Sequence, residues 1–220
     1  MGGYTYRFEF SDGGTVSIAA PAASTQAAPA WTELGFHQCA NCPLSADTHR
    51  HCPMALAFVP LVEAFGRRLS YEEVAVRVES AARTVSKSTS LQQAVGSVMG
   101  LVAASSGCPR MEFLAPMAHF HLPFSSEEET IYRAASTYLL AQYFAQRSGA
   151  TPDWELDSLK ASYRELQTVN AAMAARLRTA SEHDGTLNAL VLLDLLAKTL
   201  PYSIEDALVD VRAVFSRPAP

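Results

Sequence analysis

Tyr4, Tyr6, Phe8 and Phe10 alternate with Thr5, Arg7 and Glu9. In a strand this order puts all four aromatic rings on one face. "SDGG" at 11–14 separates that run from Thr15-Val16-Ser17-Ile18, which predicts a hairpin. Val74, Val76 and Val78 alternate in "SYEEVAVRVES", and this third strand is expected to continue to about Ser86. A lone hairpin is marginal, so the three runs are read as one small antiparallel sheet.

The rest of the pattern is helical. "MALAFVPLVEAF" is apolar, with Pro53 placed for a first turn and Pro60 expected to kink or break the helix. From Ser90, the residues Leu91, Val95, Val98, Met99 and Val102 form one stripe. Ser90 and Gln93 have capping-box spacing, and Gly107 suits a helix stop. Ser126 with Glu129 opens a helix that ends near Gly149; Glu127, Glu128 and Glu129 in its first turn offset the dipole. Tyr132, Tyr138, Tyr143 and Phe144 on it are read as core. Further helices are expected over 153–180, over the very apolar 186–199 behind Asp184, and from Ser203 to before Arg217.

The fold class that follows is α+β: a small N-terminal antiparallel sheet and then a mostly helical bundle. Three stretches emerge. Residues 1–30 hold the hairpin and an Ala/Pro-rich linker, "AAPAASTQAAPA". Residues 31–125 hold the cysteines, one further strand and a helix. Residues 126–220 form the C-terminal bundle, in one compact unit with 31–125.

Composition narrows the function. Half the 220 residues are hydrophobic, the net charge is −5, and there is no basic tract, so nucleic acid is not an expected partner. No charged-then-apolar leader opens the chain, and "ALVLLDLLA" is too short to span a bilayer. The expectation is a soluble, cytoplasmic protein without a membrane partner, whose cysteines are thiols or metal ligands rather than disulfides.

Those cysteines carry the chemistry. "HQCANCPLSADTHRHCP" (37–53) holds Cys39, Cys42 and Cys52 together with His37, His49 and His51, and Cys108 follows Gly107. Cys-x2-Cys lets two thiolates reach one ion from a single turn, and a longer loop brings back a third. One closed four-cysteine site accounts for all of them. Zinc and an iron–sulfur cluster both take four thiolates. Cys42, Cys52 and Cys108 are each followed by proline, which recurs in ferredoxin-type runs and favours iron, possibly as a 4Fe–4S cluster; zinc is the alternative. Unmetallated, partly buried thiols are the third reading. The flanking histidines are candidates to replace a thiolate or to hydrogen-bond a sulfur. His119 and His121 lie in an apolar segment and are read as core.

The segments "FHQCANCPL…HCP", "SLQQAVGSVMGLVAASSGCP" and "MAHFHLPFSSEEETIYRAASTYLLAQYF" resemble a family of uncharacterised bacterial proteins of about this length. The resemblance runs from Trp31 onward and implies a shared architecture without a known activity. No nucleophile elbow, phosphate loop or His-Glu-x-x-His motif is present, so enzyme activity stays open. The leading expectation is a metal centre for redox or metal sensing, or electron transfer, signalling to a protein partner. A structural zinc protein is the rival, and the apolar 186–199 helix leaves a homodimer possible.

Overall fold

The computed structural model describes residues 3–21, 28–195, 197–198 and 215. Strands β1 (Tyr4–Phe10) and β2 (Thr15–Ala20) form the expected hairpin. Asp12 Oδ1 accepts from Gly14 N at 2.8 Å in its turn, where Gly13 takes a φ of 84° that favours glycine. β3 (Glu73–Ser80) pairs antiparallel with β1, and β4 (Thr84–Ser90) with β3, giving the order β2-β1-β3-β4. The run expected to extend to Ser86 therefore turns at 81–83 and comes back as a second strand. β4 was hidden because "TVSKSTS" buries only Thr89 fully and has no apolar alternation.

Register explains why one face of the sheet is the core. Tyr6 opposes Val78, Phe8 opposes Val76 and Phe10 opposes Val74, all buried, while Arg7 and Glu9 point outward. Helices α1 (Pro53–Phe65) and α2 (Leu91–Ala104) cover that face. The α2 stripe Leu91, Val95, Val98, Met99 and Val102 is buried throughout. α1 runs through Pro60 without a break, which corrects that half of the expectation. Most of its sequence is apolar, and burial of Phe58, Val59, Leu61 and Phe65 outweighs one lost backbone bond. The Ser90–Gln93 capping box does not form, because the Gln93 side chain is taken by the Thr89 hydroxyl.

A short α3 (Ala115–His119) leads to α4 (Glu127–Arg147) and α5 (Asp157–Ala180). The Ser126–Glu129 capping box opens α4 as expected. Only the first half of α4 packs, through Ile131, Ala134 and Ala135. Tyr143 and Phe144 are 45% and 57% exposed and Tyr132 is exposed too, so these three are not core, whereas Tyr138 is part-buried and packs against it. α5 begins four residues later than expected, because Asp153 acts ahead of it. Its carboxylate accepts from Ser158 N at 2.8 Å, and this bond is the largest cause holding the group down at about 2. Residues 185–195 form α6. Asp184 does not cap it with its side chain; the carboxylate accepts from Ser70 N (2.9 Å) and Ser70 Oγ (3.0 Å) and ties α6 to the loop after α1. α6 buries Ala189 and Leu190 but exposes Val191 and Leu195, so it is a packed helix rather than the centre of a bundle. The helix expected from Ser203 lies outside the described residues.

The start of α6 passes close to the end of α1. A Cβ on Gly185 would stand 2.8 Å from the Arg68 carbonyl and 3.0 Å from that of Phe65. Gly185→Ala should therefore destabilise the protein by about 1–3 kcal/mol, read as a drop in the urea midpoint.

Candidate metal centre

Cys39-Ala40-Asn41-Cys42 is a turn closed by Cys42 N donating to Cys39 O at 3.0 Å. Cys52 sits at the N-cap of α1, with Pro53 as its first residue. Cys108 occupies the same position ahead of a 3-10 turn, Pro109–Leu114, that starts with Pro109. The two residues have nearly the same backbone angles (φ −71°, ψ 121° and φ −68°, ψ 123°). Two of the three Cys-Pro pairs thus serve as entries to helical segments, where the preset proline φ is wanted.

Three segments far apart in the chain meet here. Cys52 N donates to Thr32 O at 2.8 Å, and Leu34 N donates to Arg50 O at 2.9 Å, which closes the 34–50 loop at its base. Arg110, two residues past Cys108, donates from Nε to Asn41 O at 2.8 Å and pairs with Glu165 on α5 at 2.5 Å. Asn41 Nδ2 donates to Glu165 O at 3.0 Å. The Cys39–Cys42 turn is thereby fixed to both the Cys108 turn and α5.

Cys52 and Cys108 are buried, and Cys39 and Cys42 pack against the same core. All four thiols are unpaired. They lie close enough to act on one another electrically. Burial pushes the Cys39 thiol up to about 11, with further upward pressure from Cys52, Cys42 and Cys108 in that order. Burial is also the largest cause raising Cys108. Among the described residues, no three His, Cys, Asp or Glu side chains are gathered as a set that could hold a single metal ion.

The residue that sequence reasoning missed is Arg176. It lies on the buried stripe of α5, three residues after Met173, and is 1% exposed. Its Nη1 donates to Trp31 O (2.7 Å) and Glu33 O (2.8 Å), and its Nη2 to Leu34 O (3.0 Å). Its Nε is buried without a partner. No carboxylate lies within salt-bridge distance among the described residues; the groups that act on its charge are Cys52, Cys39 and Cys42. Burial lowers its proton affinity, and those three sulfurs raise it. An arginine falling on the apolar stripe of an amphipathic helix was the available signal.

The histidines divide. His51 Nδ1 is 2.9 Å from Thr32 Oγ1, while His49 is exposed and sits 2.9 Å from Thr48 Oγ1. His37 is exposed, with a φ of 45°. His119 is exposed at the end of α3, which corrects its reading as core; its segment is apolar, but it lies on the outer side of a five-residue helix. His121 is the inward one, bonded through Nε2 to the Tyr6 hydroxyl.

No helix among the described residues is long and apolar enough to cross a membrane. No curated protein and no solved structure matches the chain. A family of proteins sharing a domain of unknown function, DUF6901, matches residues 4–216, and the chain belongs to that family.

Proposed function

We propose that Cys39, Cys42, Cys52 and Cys108 hold one metal centre, an iron–sulfur cluster, used for redox or metal sensing or for electron transfer to a protein partner. The observation that carries this reading is Arg176. A buried guanidinium costs several kcal/mol of lost hydration, roughly, unless an anion or good hydrogen bonds offset it. Three carbonyls satisfy part of it, yet no carboxylate is near, and neutral thiols supply no charge. Four thiolates around a cluster leave a net negative charge and would complete the pairing. The residues present therefore fit an anionic thiolate centre better than four idle thiols.

The cluster is preferred to zinc because Cys42, Cys52 and Cys108 are each followed by proline, which recurs in ferredoxin-type runs. A single tetrahedral ion draws its sulfurs to about 2.3 Å from itself, whereas a cluster is a larger body and holds its thiolates further apart.

Protein purified without oxygen should be brown and contain iron and acid-labile sulfide in comparable amounts. Colourless protein carrying one zinc per chain would move the site to the structural role. Protein with neither metal after anaerobic reconstitution with iron and sulfide would overturn the centre.

A further inference from the structure

A cavity of about 720 Å³ lies among α2, the 117–126 segment, α4, α5 and α6. Small-molecule sites run from about 300 to 1,000 Å³. Leu101, Met111, Met117, Leu166 and Leu190 give it apolar walls. Three polar groups are set among them without partners to match. Tyr163 and Asn170 both line the cavity from α5, seven residues apart and so on one helix face. They are 3% and 4% exposed. The Tyr163 hydroxyl has no hydrogen-bond partner among the described residues; Asn170 Nδ2 also has none, but it is sealed within the wall rather than open to the cavity. Buried donors of this kind are costly to leave unmade.

Arg133 on α4 is the third group. Its Nη2 is committed to Met117 O (2.8 Å) and Phe120 O (3.0 Å), but no carboxylate lies within salt-bridge distance of it among the described residues. Burial is the largest cause lowering its proton affinity, and Tyr163, Tyr4 and Glu129 act on it in the other direction. Lys87, Glu127 and Glu129 also line the cavity, but from exposed positions, and the Glu129 carboxylate accepts from Ser126 N. His121 is pushed down to about 4 by burial, so it is neutral there at pH 7. The inner wall therefore offers one cation and the Tyr163 hydroxyl within an apolar surround.

We propose that this cavity binds an apolar carboxylate of the fatty-acid class, with its carboxylate against Arg133 and Tyr163 and its chain along the Met and Leu walls. A hydroxyl without a hydrogen-bond partner and a cation without a salt-bridged carboxylate, both among the described residues, call for ligand oxygens carrying negative charge; the remaining surface calls for hydrocarbon. The site stands apart from the thiol centre, although Met54 and Met111 in its wall follow Cys52 and Cys108 by two and three residues.

Calorimetric titration of the full chain with dodecanoate and with dodecanol, both below micelle formation, tests the assignment. Dodecanoate should bind at least tenfold more tightly than dodecanol. Arg133→Gln should remove most of that difference while leaving dodecanol unchanged. A Cβ on Gly100 would stand 3.7 Å from Leu193 Cδ2, so a leucine there has room to enter the cavity and fill it. Gly100→Leu, with its helical circular dichroism retained, should abolish binding of both probes. Failure of the wild-type protein to bind dodecanoate, equal affinity for acid and alcohol, or undiminished binding by folded Gly100→Leu would each overturn the proposal.

Discussion

Arg176→Met should release the metal centre while leaving most of the fold intact. Removing one partner of a buried charge pair costs about 3–5 kcal/mol, which corresponds to at least roughly 100-fold in affinity for the centre. Arg176→Lys keeps the charge but cannot span the three carbonyls of Trp31, Glu33 and Leu34, so it should retain much of the centre with a looser 31–34 segment. A role confined to tying that segment gives the opposite pattern: Lys and Met would be equally damaging, and the loss of stability would be the same with and without metal. Thermal unfolding of both variants, metal-loaded and metal-free, separates the two. In metal-free protein, Met should do less harm than in loaded protein, because it also removes a buried charge facing neutral thiols.

Cys52→Ala should bind no metal and should expose residues 37–53 to protease while far-ultraviolet circular dichroism changes little. The loop is fastened at its base by Cys52 N to Thr32 O and Leu34 N to Arg50 O, and at its tip by Arg110 and Asn41. Between those fastenings, residues 45–50 are exposed. Binding energy reaches only the folded form that gathers the sulfurs, so the loaded loop should be protected and the empty one cut. Limited proteolysis of wild type and variant, each with and without reconstitution, reads this directly. Equal cleavage of loaded and empty wild-type protein would remove any structural or sensory role for the centre.

The sheet face and the α2 stripe were legible because their side chains repeat at the period of their own element and bury the face that period predicts. β4 was not, since backbone pairing to β3 holds it while its side chains are Thr, Ser, Lys and a single Val. The aromatic positions of α4 misled for the converse reason. Helical spacing says that residues share a face, but not that anything covers it; here only the first half of the helix is covered. At the candidate centre the cysteines could be listed from sequence, and their shared location inferred by economy. The groups that fasten them could not. Asn41, Arg110 and Glu165 meet only through tertiary packing, as Arg176 meets residues 31–34, and nothing local in "GCPR" or in the α5 sequence assigns them to the thiols.

The bond from Arg176 to the Trp31 carbonyl joins residues 145 positions apart. Chains are made from the N-terminus, so Cys39, Cys42 and Cys52 leave the ribosome long before the cation that faces them. Through that interval the sheet, α1 and α2 can assemble, because their contacts lie earlier in the chain. The thiols cannot yet be enclosed. The enclosure is thus a late event in the life of the nascent chain, and the cysteines are most open to oxidation, and to the metal of the proposed centre, before α5 docks.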